Sequence, residues 1–260
     1  MFKKTRNEDV YTDIGKKLKM TMSSISEGNT EGVLWSYDEK TYFIWDKGNI
    51  VLYIFGEKST RQEDLHEFFE DEIKRDASKE GFSYFKVNDR TGLSLESIKS
   101  IFGNGKVLEK YFYEYRGGDV FDFSSDLDVK VIDIDEQFLT NTDLLNLDKV
   151  VNEVKWMWPS FERFFEKGFG KAAVFNESIV CWCTAEYVSE NMCGIGIETL
   201  EDFRREGIAT VTAVEFIRDC LDNDMIPFWD CSADNTASVG LAEKLGFDKI
   251  DESRVLLGKF

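Results

Sequence analysis

The stretch Cys193-Gly194-Ile195-Gly196-Ile197-Glu198-Thr199-Leu200-Glu201-Asp202-Phe203-Arg204-Arg205-Glu206-Gly207-Ile208-Ala209-Thr210 decides how the rest of the chain is read. An apolar run from Met192 ends at Leu200, a short polar loop turns, and a helix is predicted from Gly207 to Leu221. Arg204, Gly207 and Ala209 fit the spacing R-x-x-G-x-A. The first amides of a helix have no partner inside it and carry the positive end of its dipole. Glycine and alanine at two of these positions let an anion approach the backbone closely, and two arginines add charge beside it. The segment therefore predicts an anion-binding turn between a strand and a helix.

Downstream of this turn the reading gives a strand at Ile226–Cys231, a helix at Ala237–Leu245, a turn at Gly246-Phe247 and a last strand at Arg254–Phe260. Upstream, Phe169–Phe175 and Ile179–Tyr187 form a hairpin around Asn176-Glu177-Ser178. Helices are expected over about Asp143–Lys167, and a strand over Val129–Ile134 opens this half. Gly117-Gly118 and Ser124-Ser125 mark a boundary. Before it come a helix over Asn7–Ser26, strands at Gly32–Tyr37, Thr41–Asp46 and Ile50–Phe55, and a helix capped by Ser59 or Thr60. A strand at Phe82–Val87, a helix at Ser94–Phe102 and a strand at Val107–Tyr115 complete this half. After the opening strand the two halves share one order of elements, which points to duplication. At residue level the likeness is weak: Glu67-Phe68-Phe69 against Glu215-Phe216-Ile217.

Two motifs on these elements carry a resemblance. The turn is similar to the [Q/R]-x-x-G-x-[G/A] signature of the GNAT superfamily of N-acetyltransferases. The run Asn235-Thr236-Ala237-Ser238 followed by Leu241-Ala242-Glu243-Lys244-Leu245-Gly246-Phe247 resembles that superfamily's second motif. The fuller string with Pro227-Phe228-Trp229-Asp230-Cys231 looks like the bacterial subgroup typified by the zwittermicin-resistance acetyltransferase. The resemblance covers roughly Asp126 to Phe260. It implies an α+β fold of tandem units, each a mixed, mostly antiparallel sheet flanked by helices. Residues 1–120 would be a degenerate GNAT-like domain that shapes the acceptor pocket or braces the second, and 126–260 the acetyltransferase domain. It also implies acetyl-CoA as co-substrate. Arg204, Arg205, Glu206, Gly207, Ile208, Ala209 and Thr210 would hold its pyrophosphate. Ile197, Glu198 and Thr199 would bond the pantetheine arm through their backbone, with Asn235 and Ser238 lining the same channel. The first half lacks a cradle, because no glycine follows Arg61 at the required spacing and Glu63 and Asp64 would repel a pyrophosphate.

Composition narrows the chemistry. A net charge of −18 repels phosphate backbones, which argues against nucleic acid, and favours cationic partners such as amines. Hydrophobic residues make up 42% of 260, enough for a core, and no stretch approaches membrane-spanning length. Five cysteines, an odd number and all in the second half, with no apolar leader, predict a reducing cytoplasmic setting. With a single histidine, His66, no metal site is expected.

Acetyl transfer to an amine needs a proton acceptor and a polarised carbonyl. Glu198 is the preferred base and Asp230 the second candidate. The position where the family often carries a tyrosine acid holds Ala242, so the leaving thiolate would depart unaided or use Ser232 or Cys231. Trp229 and Trp182 are candidate pocket walls, with core packing the favoured reading for each. Cys193 and Cys231 lack a histidine in this half to activate them. The expected activity is direct transfer of an acetyl group to a primary amine of a small polar molecule. The alternatives are a non-catalytic acyl-CoA-binding or sensing protein and transfer to a protein amine. Oligomeric state is not legible.

Overall fold

Strand β3, Thr41–Asp46, is buried at every position and shows how the first part of the chain is built. Its alternate side chains serve opposite faces of a sheet, as the period of two requires. Phe43 and Trp45 join a cluster with Phe68, Phe69 and Ile73, while Tyr42 and Ile44 pack with Leu18 and Met22. The computed structural model describes residues 1–6, 10, 14–117, 123–189 and 191–260. Contacts divide the chain into two units, Met1–Lys110 with Asp251–Phe260, and Tyr111–Ile250.

In the first unit β1 (Phe2–Lys4), β2 (Gly32–Tyr37), β3 and β4 (Val51–Gly56) pair antiparallel in succession. β4 then pairs parallel with β5 (Tyr84–Asp89). Parallel neighbours need a crossover, here the helical run α2 (Gln62–Phe68), a π-helical segment Phe69–Lys74, and α3 (Arg75–Glu80). Helix α1 (Lys16–Ser26) covers one face, and α4 (Leu95–Phe102) follows β5. Strand β6 (Lys106–Tyr115) carries the chain into the second unit, and β12 (Phe247–Lys259) brings it back, pairing with β5 from Leu256 to Lys259.

Several expectations are corrected. Helix α1 begins at Lys16 rather than Asn7, and residues 7–9 and 11–13 lie outside the described residues, as does Gly118 of the expected boundary. Neither Ser59 nor Thr60 caps α2. Arg61 holds that position, because Ser59 Oγ is hydrogen-bonded to Thr41 Oγ1 at 2.7 Å. The last strand starts at Phe247, seven residues before the predicted Arg254, since the charged run Asp248–Arg254 hid its alternation.

The second unit repeats the plan. β7 (Lys130–Asp133), β8 (Gly170–Phe175), β9 (Ser178–Ser189) and β10 (Met192–Thr199) pair antiparallel. β10 then pairs parallel with β11 (Ile226–Ser232) across the crossover helix α8 (Ile208–Asp222). The hairpin between β8 and β9 turns through Asn176 and Glu177, both at positive φ, the geometry two-residue hairpins favour. The predicted helical stretch divides into α6 (Leu147–Met157) and α7 (Phe161–Lys167). Pro159 forces Trp158 into extended backbone, and Ser160 Oγ accepts from the Arg163 amide to start α7. A one-turn helix α5 (Glu136–Leu139), capped by Asp135, was not expected. Helix α9 (Thr236–Lys244) follows β11. The architecture is α+β: in each unit an antiparallel meander ends in a parallel pair, and helices flank the mixed sheet.

Candidate acetyl-CoA site

The site begins where β10 and β11 separate. Their register runs Met192↔Ile226, Cys193↔Pro227, Gly194↔Phe228 and then stops, although β10 continues to Thr199 and β11 to Ser232. A bulge in the β9–β10 pairing falls at the same place, between Cys193 and Ile195. On its other side β10 stays bonded to β9, and the amide of Leu200 donates to Val180 O at 2.9 Å. In an antiparallel ladder alternate residues turn their backbone groups away from the partner. Glu198 and Gly196 therefore face β9, whereas Ile197 and Thr199 present theirs to the gap beside β11. In the first unit no such opening exists over the equivalent stretch. β4 and β5 stay paired to Ile54↔Asp89, and the Arg90 amide donates to Ile54 O at 2.7 Å.

The turn into α8 is shaped by two residues in the left-handed region, Arg205 at φ 72° and Gly207 at φ 76°. A side chain at Gly207 would meet Ser124 O at 3.0 Å and Ser125 Cα at 3.2 Å, so the position requires glycine for conformation and for space. The amides of Thr210 and Val211 donate to Gly207 O. Those of Arg205 through Ala209 have no hydrogen bond among the described residues, and such a run of N–H groups forms a concave anion nest.

A cavity of about 570 Å³ opens over this turn. It is lined by Ile197, Glu198 and Thr199 of β10, by Arg204, Arg205, Gly207, Ile208, Ala209 and Thr210 of the turn, and by Asn235 and Ser238 of the second motif. The structure thus brings together the predicted residues except Glu206 and Asp230, which do not line it. The Glu206 carbonyl instead accepts the amide of Asp126 at 2.8 Å, holding the turn against that segment. Asn235 Oδ1 caps α9 by accepting the Ser238 amide at 3.2 Å, and Ser238 Oγ accepts from Trp229 Nε1 at 3.0 Å. Trp229 is both cavity wall and core, with 2% of its surface exposed. The sequence reading missed Lys244, whose Nζ lies 3.4 Å from Thr210 Oγ1 and adds a cation at the first turn of α8. Its signal was the lysine inside the second motif.

Glu198 and Arg204 form an ion pair at 3.0 Å, both more than half exposed, and Arg204 Nε also donates to Thr199 O at 3.0 Å. All five cysteines are buried and unbridged. Burial pushes the Cys181 thiol up to about 11 and that of Cys183 well above its ordinary value, which leaves both inert as nucleophiles near neutral pH. At the helix start of the first unit, Asp64 accepts from Arg61 Nη2 at 2.6 Å and from Tyr37 Oη at 2.5 Å. Arg61 first and Tyr37 second hold the Asp64 carboxyl below the usual range, so a carboxylate already sits in that first turn. No helix among the described residues is long and apolar enough to cross a membrane.

Comparison with known proteins agrees with this geometry. The chain is 28% identical over 239 residues to YdfB of Bacillus subtilis strain 168, an uncharacterized N-acetyltransferase, covering 88% of this chain and 86% of that one. It shares its fold with a GCN5-related N-acetyltransferase-like protein from Streptococcus suis 89/1591, at 18% identity, TM-score 0.62 and 90% coverage of each chain. A tandem GNAT protein from the clavulanic acid biosynthesis pathway matches with TM-score 0.55 at 8% identity, over 93% of this chain and 87% of that one. The profile of the GNAT acetyltransferase family matches residues 13–256, and with that span the chain belongs to the GNAT acetyltransferase family and is an acyltransferase.

Proposed function

We propose that the chain transfers an acetyl group from acetyl-CoA to a primary amine of a small polar molecule by direct attack, using the second unit. The observation that carries this reading is a coincidence of three features in one cavity. The strands part after Gly194↔Phe228, the nest of Arg205–Ala209 lies at the end of the parted strand, and both sequence motifs line the space between. The nest and Arg204, Arg205 and Lys244 suit a pyrophosphate, and the gap-facing backbone of Ile197 and Thr199 suits an amide-bearing arm. A direct mechanism fits because no described thiol lining the cavity is available for an acyl-enzyme. In this reading residues 1–120 are a GNAT-like domain without a cofactor site, and the protein works in the cytoplasm. The net charge of −18 favours a cationic acceptor, such as an amine-bearing antibiotic or metabolite of the kind handled by the zwittermicin-resistance subgroup.

Calorimetric titration with acetyl-CoA, with CoA as comparison, tests the site. We expect saturable micromolar binding by the chain and none by Gly207→Glu. A side chain in the left-handed region costs about 1–2 kcal/mol, and the backbone of Ser124 and Ser125 must also shift slightly to admit the Cβ. Against the total of about 5–15 kcal/mol that holds a domain together, the variant is expected to keep its circular dichroism spectrum, which is recorded beside the titration. Retained affinity in a folded Gly207→Glu protein would remove the cradle assignment.

A further inference from the structure

Helix α6 carries a carboxylate where its own pattern calls for an apolar residue. Val150, Val154 and Met157 form the buried stripe of α6, and Glu153 occupies the i+3 place within it. Its side chain is half-buried and makes no hydrogen bond or ion pair among the described residues.

The sheet face beneath α6 is equally unusual. Cys181 packs with Ile208 and accepts from Thr199 Oγ1, so the face of Cys181 and Thr199 belongs to α8. The opposite face, on which α6 lies against β9, carries Trp182 and Thr184 of β9 beside their cross-strand partners Glu198 and Gly196. Glu186 reaches over Gly196, since a Cβ there would come within 2.3 Å of its carboxylate oxygen. Thr184 is 2% exposed, and its hydroxyl has no hydrogen-bond partner among the described residues. That hydroxyl lies on the same sheet face as Glu186 and Glu198, on the strand paired with the one that lines the cavity, and a buried polar group left unpaired calls for an explanation.

We infer that Glu153 is a catalytic residue on the acceptor side: it receives the ammonium of a primary alkylamine on the α6 face of β10 and takes its proton. This rests on the acetyl-transfer reading above. The N–H bond breaks and an O–H bond forms on Glu153, leaving a neutral amine. Its lone pair attacks the thioester carbon of acetyl-CoA, the C–N bond forms, the C–S bond breaks, and the electron pair leaves on sulfur. The nitrogen's surplus proton ends on the thiolate, and Glu153 returns its own proton to solvent.

The electrostatics suit this role. Burial, and then the like charge of Glu198, push the Glu153 carboxyl above the ordinary glutamate value. The elements around α6 also bring Glu186 from β9, Glu136 from α5, and Arg163 and Glu166 from α7, the last two paired at 2.8 Å. Among these groups Glu198 is the one whose charge acts on Glu153. A base whose affinity for protons is raised toward neutrality takes one from an alkylammonium more readily than an ordinary carboxylate does. Glu198 is held by Arg204, whereas Glu153 has no such partner among the described residues.

The test compares the intact chain with Glu153→Gln, using 1,5-diaminopentane as probe and 1,5-pentanediol as uncharged control. Calorimetry in the presence of CoA should show saturable diamine binding that weakens at least tenfold in Glu153→Gln, and no diol binding by either protein. Thiol release from acetyl-CoA with the diamine should fall at least tenfold at pH 7 in the variant. It should recover toward pH 10, where a growing share of the amine arrives neutral. Absence of diamine binding by the intact chain, or equal binding and an unchanged pH profile in the variant, would overturn the inference. Acetyl-CoA affinity is measured alongside: its absence from the intact chain counts against the acetyl-transfer reading, and its retention in Glu153→Gln places any loss on the acceptor side.

Discussion

Arg204 is engaged twice before any ligand arrives, by Glu198 Oε1 and by Thr199 O. An exposed ion pair of this kind is worth about 0–1 kcal/mol, whereas hydrogen bonds to a charged group reach about 1.5–3 kcal/mol. A pyrophosphate in the cradle therefore draws the guanidinium away from Glu198. Arg204→Ala is expected to raise the Kd for acetyl-CoA about tenfold, a change of roughly 1.4 kcal/mol, and to flatten its dependence on salt. An unchanged Kd in a titration at two ionic strengths would show that Arg204 serves Glu198 alone. Glu153 gives a second prediction, on stability. Because its carboxyl is raised in the folded chain, its contribution is fully present below the ordinary glutamate value and is lost as pH rises through the raised folded value. Glu153→Gln should therefore melt above the parent at pH 7 to 8, by about 2 °C or more, with the gap closing toward pH 4. A gap of the same size at both ends would mean that packing, not ionisation, separates the two proteins.

Over its second half strand β10 is bonded on one side only. Beyond Gly194 it keeps β9 and loses β11, so its backbone groups alternate between satisfied and open. Hydrogen exchange should show this alternation: Glu198 protected throughout, and Ile197 and Thr199 exchanging quickly until acetyl-CoA is added. Protection of all three without ligand would mean that the strands close in solution. Much of this element was legible in the sequence. The R-x-x-G-x-A spacing located the turn, and the second motif located α9, because each depends on a few residues whose backbone or charge requirements are specific. The parting itself was not legible from these residues alone, since Ile195 to Thr199 reads as an ordinary strand and pairing is a property of two segments. Glu153 was missed for a related reason. Its place in the buried stripe is visible at i+3 from Val150, yet its neighbour Glu198 lies on another element. The start of β12 was hidden because Asp248 to Arg254 lacks the alternating apolar pattern.

The same order of elements occurs twice in the molecule, and the two copies differ where a cofactor would bind. Both build a parallel pair across a helical crossover. Only the second opens that pair and follows it with a glycine in the left-handed region, Gly207, at the head of the crossover helix. In the first unit Arg61 takes the equivalent place and pairs its charge with Asp64. Glu63 and Asp64 in the first turn already complement the dipole that an external anion would otherwise use. An anion approaching that helix start meets two carboxylates rather than a nest of open amides, and the paired strands leave no gap for an extended arm. Calorimetry should therefore give one acetyl-CoA per chain. Substitutions at Arg61 or Asp64 should leave both stoichiometry and affinity unchanged, whereas Gly207→Glu should take the stoichiometry to zero. A measured value of two, falling to one in Gly207→Glu, would show that the first unit binds the ligand by a route other than the one its helix start and paired strands leave closed.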